Sequence, residues 1–168
     1  MTPELARNLA SYNALMNEKL YDCVAQLGDD DRKSDRGAYF RSIHGTLNHI
    51  LLGDKLWMGR FTGDLFEVES LAQELHSEFG SLKGDRQSTD RAIAQYMAAL
   101  TPEALSGKLR YESKLKQKTI EIDLWLAIAH FFNHQTHHRG QVTTLLSQMG
   151  LDIGDTDLVF LAPAVQGA

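Results

Sequence analysis

One cysteine and three prolines in 168 residues leave this chain without two common devices of small domains. A single thiol, Cys23, cannot close an internal disulfide, which fits a reducing compartment and leaves the fold to stand on its core. Scarce proline lets long helices run unbroken. Basic charge is also short: 17 Lys and Arg face 22 Asp and Glu, for a formal net charge of -5. No basic stripe stands out, and nucleic-acid binding requires clustered cations, so nucleic acid is excluded as a partner. No apolar run reaches membrane-spanning length, and the opening "MTPELARNLA" has neither the basic nor the apolar part of a secretory signal. No membrane partner and a cytoplasmic location are expected. At 43% hydrophobic and 23% charged residues, the composition is that of a globular domain, and the length suits one domain over residues 1–168.

Helical periodicity is abundant. Thr2 and Pro3 open a first helix, with Leu5, Leu9, Tyr12, Met16, Leu20, Cys23 and Leu27 on one stripe ending at Gly28. Cys23 therefore reads as a core thiol rather than a nucleophile. "DDDRKSDRGAYF" is a charged connection. A second helix spans about Ser42 to Phe61 and is apolar almost all round, leaving His44, Asn48 and Lys55 as its solvent strip. "VESLAQELHSEFGSL" reads as a short amphipathic helix carrying His76 outside, and "STDRAIAQYMAAL" as a third long helix. "GKLRYES" and "KQKTIEI" alternate as a small hairpin. Asp123 then caps a long last helix ending at Gly150. The expected class is all-α, a four-helix bundle with a small β-hairpin before the last long helix.

What the sequence does have is histidine in one place. "HFFNHQTHHRGQV" puts four of the seven histidines, His130, His134, His137 and His138, into nine consecutive positions. On a wheel of 100° per residue, His138 falls inside the apolar arc and His134 beside it, one turn apart, so both imidazoles can meet one ion. His130 and His137 turn toward the polar side, as flanking residues. A third donor must come from another helix, and His49 on the second is the best placed, with Gly45 and Gly53 one turn either side to admit a close neighbour. The residues alone leave two readings open: a metal centre, or three hydrogen-bonded histidines at a bundle seam. Arg139 projects inward, where a lone guanidinium is costly, so Asp54 or Asp157 is its expected partner. Gln141 lies one turn beyond His137 and joins His130, His137, Arg139 and Asp54 as residues expected around the ligands or beside the substrate.

"TLNHILLGDKLW", "HFFNHQTHHRGQV" and the closing "DTDLVFL" together resemble the DinB-like (damage-inducible) family, also called DinB/YfiT-like metalloenzymes, over nearly the whole chain. The resemblance implies a four-helix bundle holding a divalent metal, zinc or nickel before iron, through His49, His134 and His138. It also implies a homodimer and, among related activities, S-transfer with a low-molecular-weight thiol such as bacillithiol or mycothiol, or isomerisation of maleylpyruvate. Zinc, nickel, iron and copper all suit imidazole ligands. A metal-dependent hydrolase of a small substrate and a non-enzymatic metal- or ligand-binding bundle stand as alternatives. The spacing of His134 and His138 matches the HExxH protease motif, but Gln135 occupies the place of the general base, and an amide cannot take a proton from water.

Overall fold

Four long helices build the molecule in a computed structural model that describes residues 1–113 and 117–159. They are α1 (Pro3–Val24), α3 (Ile43–Thr62), α4 (Phe79–Ala98) and α6 (Leu124–Gln148). Two one-turn helices, α2 (Asp29–Lys33) and α5 (Pro102–Leu105), and an antiparallel hairpin of β1 (Lys108–Ser113) and β2 (Lys118–Asp123) fill the connections. The expected all-α bundle and its hairpin are both present; part of the hairpin turn lies outside the described residues. The helix ends follow local chemistry. Thr2 accepts from the Leu5 amide, Ser42 accepts from Gly45, and Gly63 closes α3 with a φ of 82°. Asp123 stands at the start of α6 but makes no cap bond; its Oδ1 accepts from Lys108 Nζ at 2.5 Å. No helix among the described residues is long and apolar enough to cross a membrane.

Around the bundle the order is α1, α4, α3, α6, with α1 and α3 on one diagonal. Cross-helix pairs set the directions. His49 meets His138 and Trp57 meets His130, so α3 and α6 are antiparallel. Lys55 pairs with Asp85 and Phe61 with Tyr96, so α3 and α4 are parallel. A parallel neighbour forces the connection to travel back along the full length of α3, and residues 63–78 do that as irregular chain. The short helix expected in "VESLAQELHSEFGSL" is therefore absent, and α4 begins at Phe79, well before "STDRAIAQYMAAL". The return path also corrects the solvent strip read for α3. His44 and Asn48 are 2% and 1% exposed, because the connection covers them: Asn48 Oδ1 accepts from the amides of Leu75 and His76, and His44 Nε2 lies 2.8 Å from the His76 carbonyl. His76 is half-buried, its Nε2 2.7 Å from Asp85 Oδ2.

The core has two apolar parts. One joins Ala6, Ala10, Ile93, Met97, Ile128 and Phe131; the other joins Leu20, Val24, Ile43, Leu47, Leu82 and Leu146. Cys23 is buried in the second, where burial pushes its thiol up, as expected of a core residue. Between the two parts lies a buried polar layer of Asn13, Asn17, Asp54, Arg86, Asp90, Gln135 and Arg139. That layer rotates α1 away from the expected stripe. Asn13 and Asn17 are buried, while Leu5 is 43% exposed.

Candidate metal centre

Imidazoles from α3 and α6 converge where the two helices cross. The ring nitrogens of His49, His134 and His138 that could serve as ligands all lie within 4.8 Å of one another. His49 Nε2 and His134 Nε2 are 3.3 Å apart. The approach depends on Gly53, because a Cβ there would stand 2.9 Å from His134 Cε1. Gly45, expected to play the same part, instead clears the carbonyl of Phe40 at the entry to α3.

Orientation is fixed from outside the cluster. His49 Nδ1 lies 2.9 Å from the Leu71 carbonyl, so Nδ1 carries the proton and Nε2 is left as a free donor. His138 Nδ1 is 2.8 Å from Gln141 Oε1, which does the same for its Nε2. Burial holds all three rings below the ordinary histidine range, and for His134 burial and the neighbouring histidines lower it to about 3. Neutral imidazoles with free, convergent nitrogens are the donor set a divalent transition metal takes, so these residues fit such an ion.

His137 is exposed; its Nε2 lies 3.4 Å from Gln141 Nε2 and its ring meets the outer side of the cluster edge-on at His138, 4.9 Å between centroids. His130, also exposed, stands one turn beyond His134 with ring centroids 6.1 Å apart, and its ring meets Trp57 at 5.0 Å. Arg139 is 5% exposed, inward as expected, but the expected ion pair is not formed. Its Nη1 donates to Asn13 Oδ1, and Nη2 reaches Thr136 Oγ1 at 3.3 Å, with the Tyr12 ring 5.8 Å away. Asp157 is exposed, and Asp54 is taken by two other groups. Arg86 Nη1 donates to Asp54 Oδ2 and Gln135 Nε2 donates to Asp54 Oδ1 at 2.6 Å. Burial with no carboxylate in contact pushes Arg139 down to about 10.

Gln135 thus points away from the histidines, into the polar layer. The same two turns of α6 carry His134 and His138 on one side and Gln135 and Arg139 on the other. Sequence reasoning missed Phe40, whose ring stacks on His49 at 3.7 Å and meets His138 edge-on at 5.6 Å. Its signal was an aromatic pair, Tyr39 and Phe40, inside an otherwise charged connection. It also missed Asn48 and the Leu71 carbonyl; a backbone acceptor leaves no mark in a sequence.

The DinB family model matches residues 1–166. Protein DinB of Bacillus subtilis (strain 168) is 28% identical over 161 residues, covering 92% of this chain and 91% of that one. The crystal structure of a DinB-like protein from Bacillus cereus ATCC 10987 superposes with a TM-score of 0.59 at 19% identity, over 83% of this chain and 89% of that one, a likeness of fold. With the family model covering nearly all of its length, the chain belongs to the DinB family.

Proposed function

We propose that His49, His134 and His138 hold a divalent transition metal, zinc or nickel before iron, and that the protein is a metal-dependent S-transferase joining a low-molecular-weight thiol, through its sulfur and with loss of the S–H proton, to a small electrophile. The observation that carries the metal is the convergence of three neutral imidazoles, two with the outer nitrogen already engaged. Three protein ligands on an ion that takes four or more leave room for an exogenous ligand, the pattern of a catalytic rather than a closed structural site. A divalent cation there supplies Lewis acidity, which favours the thiolate form of a thiol at neutral pH. The chain's own parts frame the position. Phe40 closes one side of the cluster by stacking on His49, while on α3 Gly53 lies under the His134 ring and Trp57 meets His130.

Hydrolysis by the HExxH mechanism is disfavoured on geometry as well as chemistry, since Gln135 donates to Asp54 in the core. A homodimer goes with this reading; sedimentation giving only monomer at micromolar concentration removes it. The test of function is elemental analysis of untagged protein, followed by thiol consumption with an electrophile panel, with and without the metal found. Metal-dependent thiol consumption is expected. Metal without thiol dependence points to a hydrolase, and no metal to a non-enzymatic bundle.

A further inference from the structure

Beyond His49, successive turns of α3 bring Gly53 and Trp57 against α6, and Arg60 follows with its guanidinium on the Trp57 ring. Opposite them on α6 run His138, His134 and His130. The histidine cluster lies at one end of this line and Arg60 at the other. Seven residues of helix separate Gly53, which touches His134, from Arg60, about 10 Å at 1.5 Å per residue.

Arg60 is unusual in its company. Its guanidinium carbon lies 4.6 Å from the centroid of Trp57 and 4.4 Å from that of Tyr111 on β1, held between two aromatic faces. No ion pair or hydrogen bond to Arg60 is formed among the described residues, and no carboxylate perturbs it. It is half-buried, and burial lowers its pKa. Cation–π contacts orient a guanidinium but leave its five N–H donors unused at the edge of the plane. A planar, oriented, partly desolvated cation with free donors is the chemistry that recognises a carboxylate. The other half-buried or buried arginines with a fixed partner, such as Arg86 with Asp54 and Asp90, show what Arg60 lacks.

We propose that Arg60 is an anion anchor, binding the carboxylate of a small ligand whose other end reaches the three-histidine cluster. The substrate class is then an anionic small molecule with a metal-ligating group about 10 Å from its carboxylate. The Trp57 ring, which meets His130 on one side and carries the Arg60 guanidinium, is the apolar surface between the two ends. This rests on the cluster being the reactive end, as proposed above, but the anchor can be tested without metal.

The test uses metal-free full-length protein in a Trp125→Phe background, so that fluorescence reports on Trp57, the other of the two tryptophans. Octanoate and octanol are the probes. Octanoate is expected to quench Trp57 with an affinity about tenfold tighter than octanol. Arg60→Met should abolish that preference and Arg60→Lys should partly restore it, with melting temperatures tracking wild type. Equal affinity of the two probes for wild type, or a preference that survives in Arg60→Met, overturns the anchor. Should Arg60→Met not fold, Arg60→Gln replaces it and the wild-type comparison stands unaided. In metal-loaded protein, ω-mercaptooctanoate should exceed ω-mercaptooctanol by the same factor. Elemental analysis after metal loading separates the two readings: metal bound with no carboxylate preference sinks the anchor alone, whereas a carboxylate preference in protein that takes up no metal on loading upholds the anchor and sinks the metal centre.

Discussion

At the residue scale, His134 carries the largest consequence. Its imidazole titrates near 6.5 in the unfolded chain and near 3 in the folded one, held down first by burial and then by its histidine neighbours. Between those values the unfolded chain binds the extra proton. Stability is therefore greatest above about pH 6.5 with respect to this group and is lost as the pH falls toward the folded value. Asp54 and Asp90, whose carboxyls burial raises, work in the opposite direction at acid pH. They are common to wild type and a His134→Gln variant, so the difference isolates the histidine. The melting temperature of metal-free wild type, followed from about pH 7.5 to 4.5, is expected to fall more steeply than that of His134→Gln. Parallel curves would show that the ring is not held neutral. His134 and His138 were legible because a period of 3.6 residues settles which of four clustered imidazoles share a face, and His49 because it stands between two glycines on the apolar side of α3. Their outer partners were only half legible. Gln141 stands one turn from His137 and could be named, whereas the Leu71 carbonyl owes its place to the path of a connection.

At the element scale, α3 and α6 approach through one missing side chain. Gly53→Ala should raise the intrinsic helix propensity of α3 by about 1 kcal/mol. The same methyl group would stand 2.9 Å from His134 Cε1, so the ring must move. The two effects have opposite signs on different observables. Metal affinity is expected to drop about tenfold, the size found when a ligand's support is disturbed, while the metal-free protein melts no earlier than wild type. Competition with a chromophoric chelator measures the first and calorimetry the second; affinity equal to wild type would show that His134 has slack. Helix bounds were well read at the starts by Thr2 and Ser42 and at the end near Gly150, whereas the first helix stops at Val24, short of Gly28. They were misread between residues 62 and 88, because a short periodic pattern fits both an amphipathic helix and an irregular strip lying on α3. Only the parallel arrangement of α3 and α4 decides between them, and helix order around a bundle is not encoded in local periodicity.

At the scale of the whole molecule, the polar layer ties all four long helices together. Asp54 from α3, Arg86 and Asp90 from α4, Asn13 and Asn17 from α1, and Gln135 and Arg139 from α6 form one buried set. Its two carboxylates balance its two guanidiniums. Arg86 Nη2 sits 2.9 Å from Asp90 Oδ1, at ion-pair distance without hydrogen-bond alignment. Burial opposes the Arg86 charge, and Asp54 and Asp90 more than offset it, so the guanidinium is held above its usual range. Removing one partner strands the other in the core. Arg86→Met should destabilise by about 3–5 kcal/mol in denaturant unfolding, and the double variant Arg86→Met with Asp54→Leu by much less than the sum of the singles. Additive losses would show that the pair is not coupled. Of this layer Arg139 and Asp54 could be turned inward from periodicity, but not their partners: Asn13 and Asn17 are polar residues facing inward, and their reasons are Asp90 and Arg139, more than seventy and more than a hundred residues away in the chain.

The bond from His49 to the Leu71 carbonyl has a bearing on descent. A main-chain acceptor is supplied by any amino acid, so the connection that carries it can change nearly every side chain and still hold the imidazole in the same tautomer. Residue 71 can then change its side chain while its carbonyl goes on holding His49 in place. Within such a lineage the identity of residue 71 would drift while the tautomer of His49 was inherited unaltered.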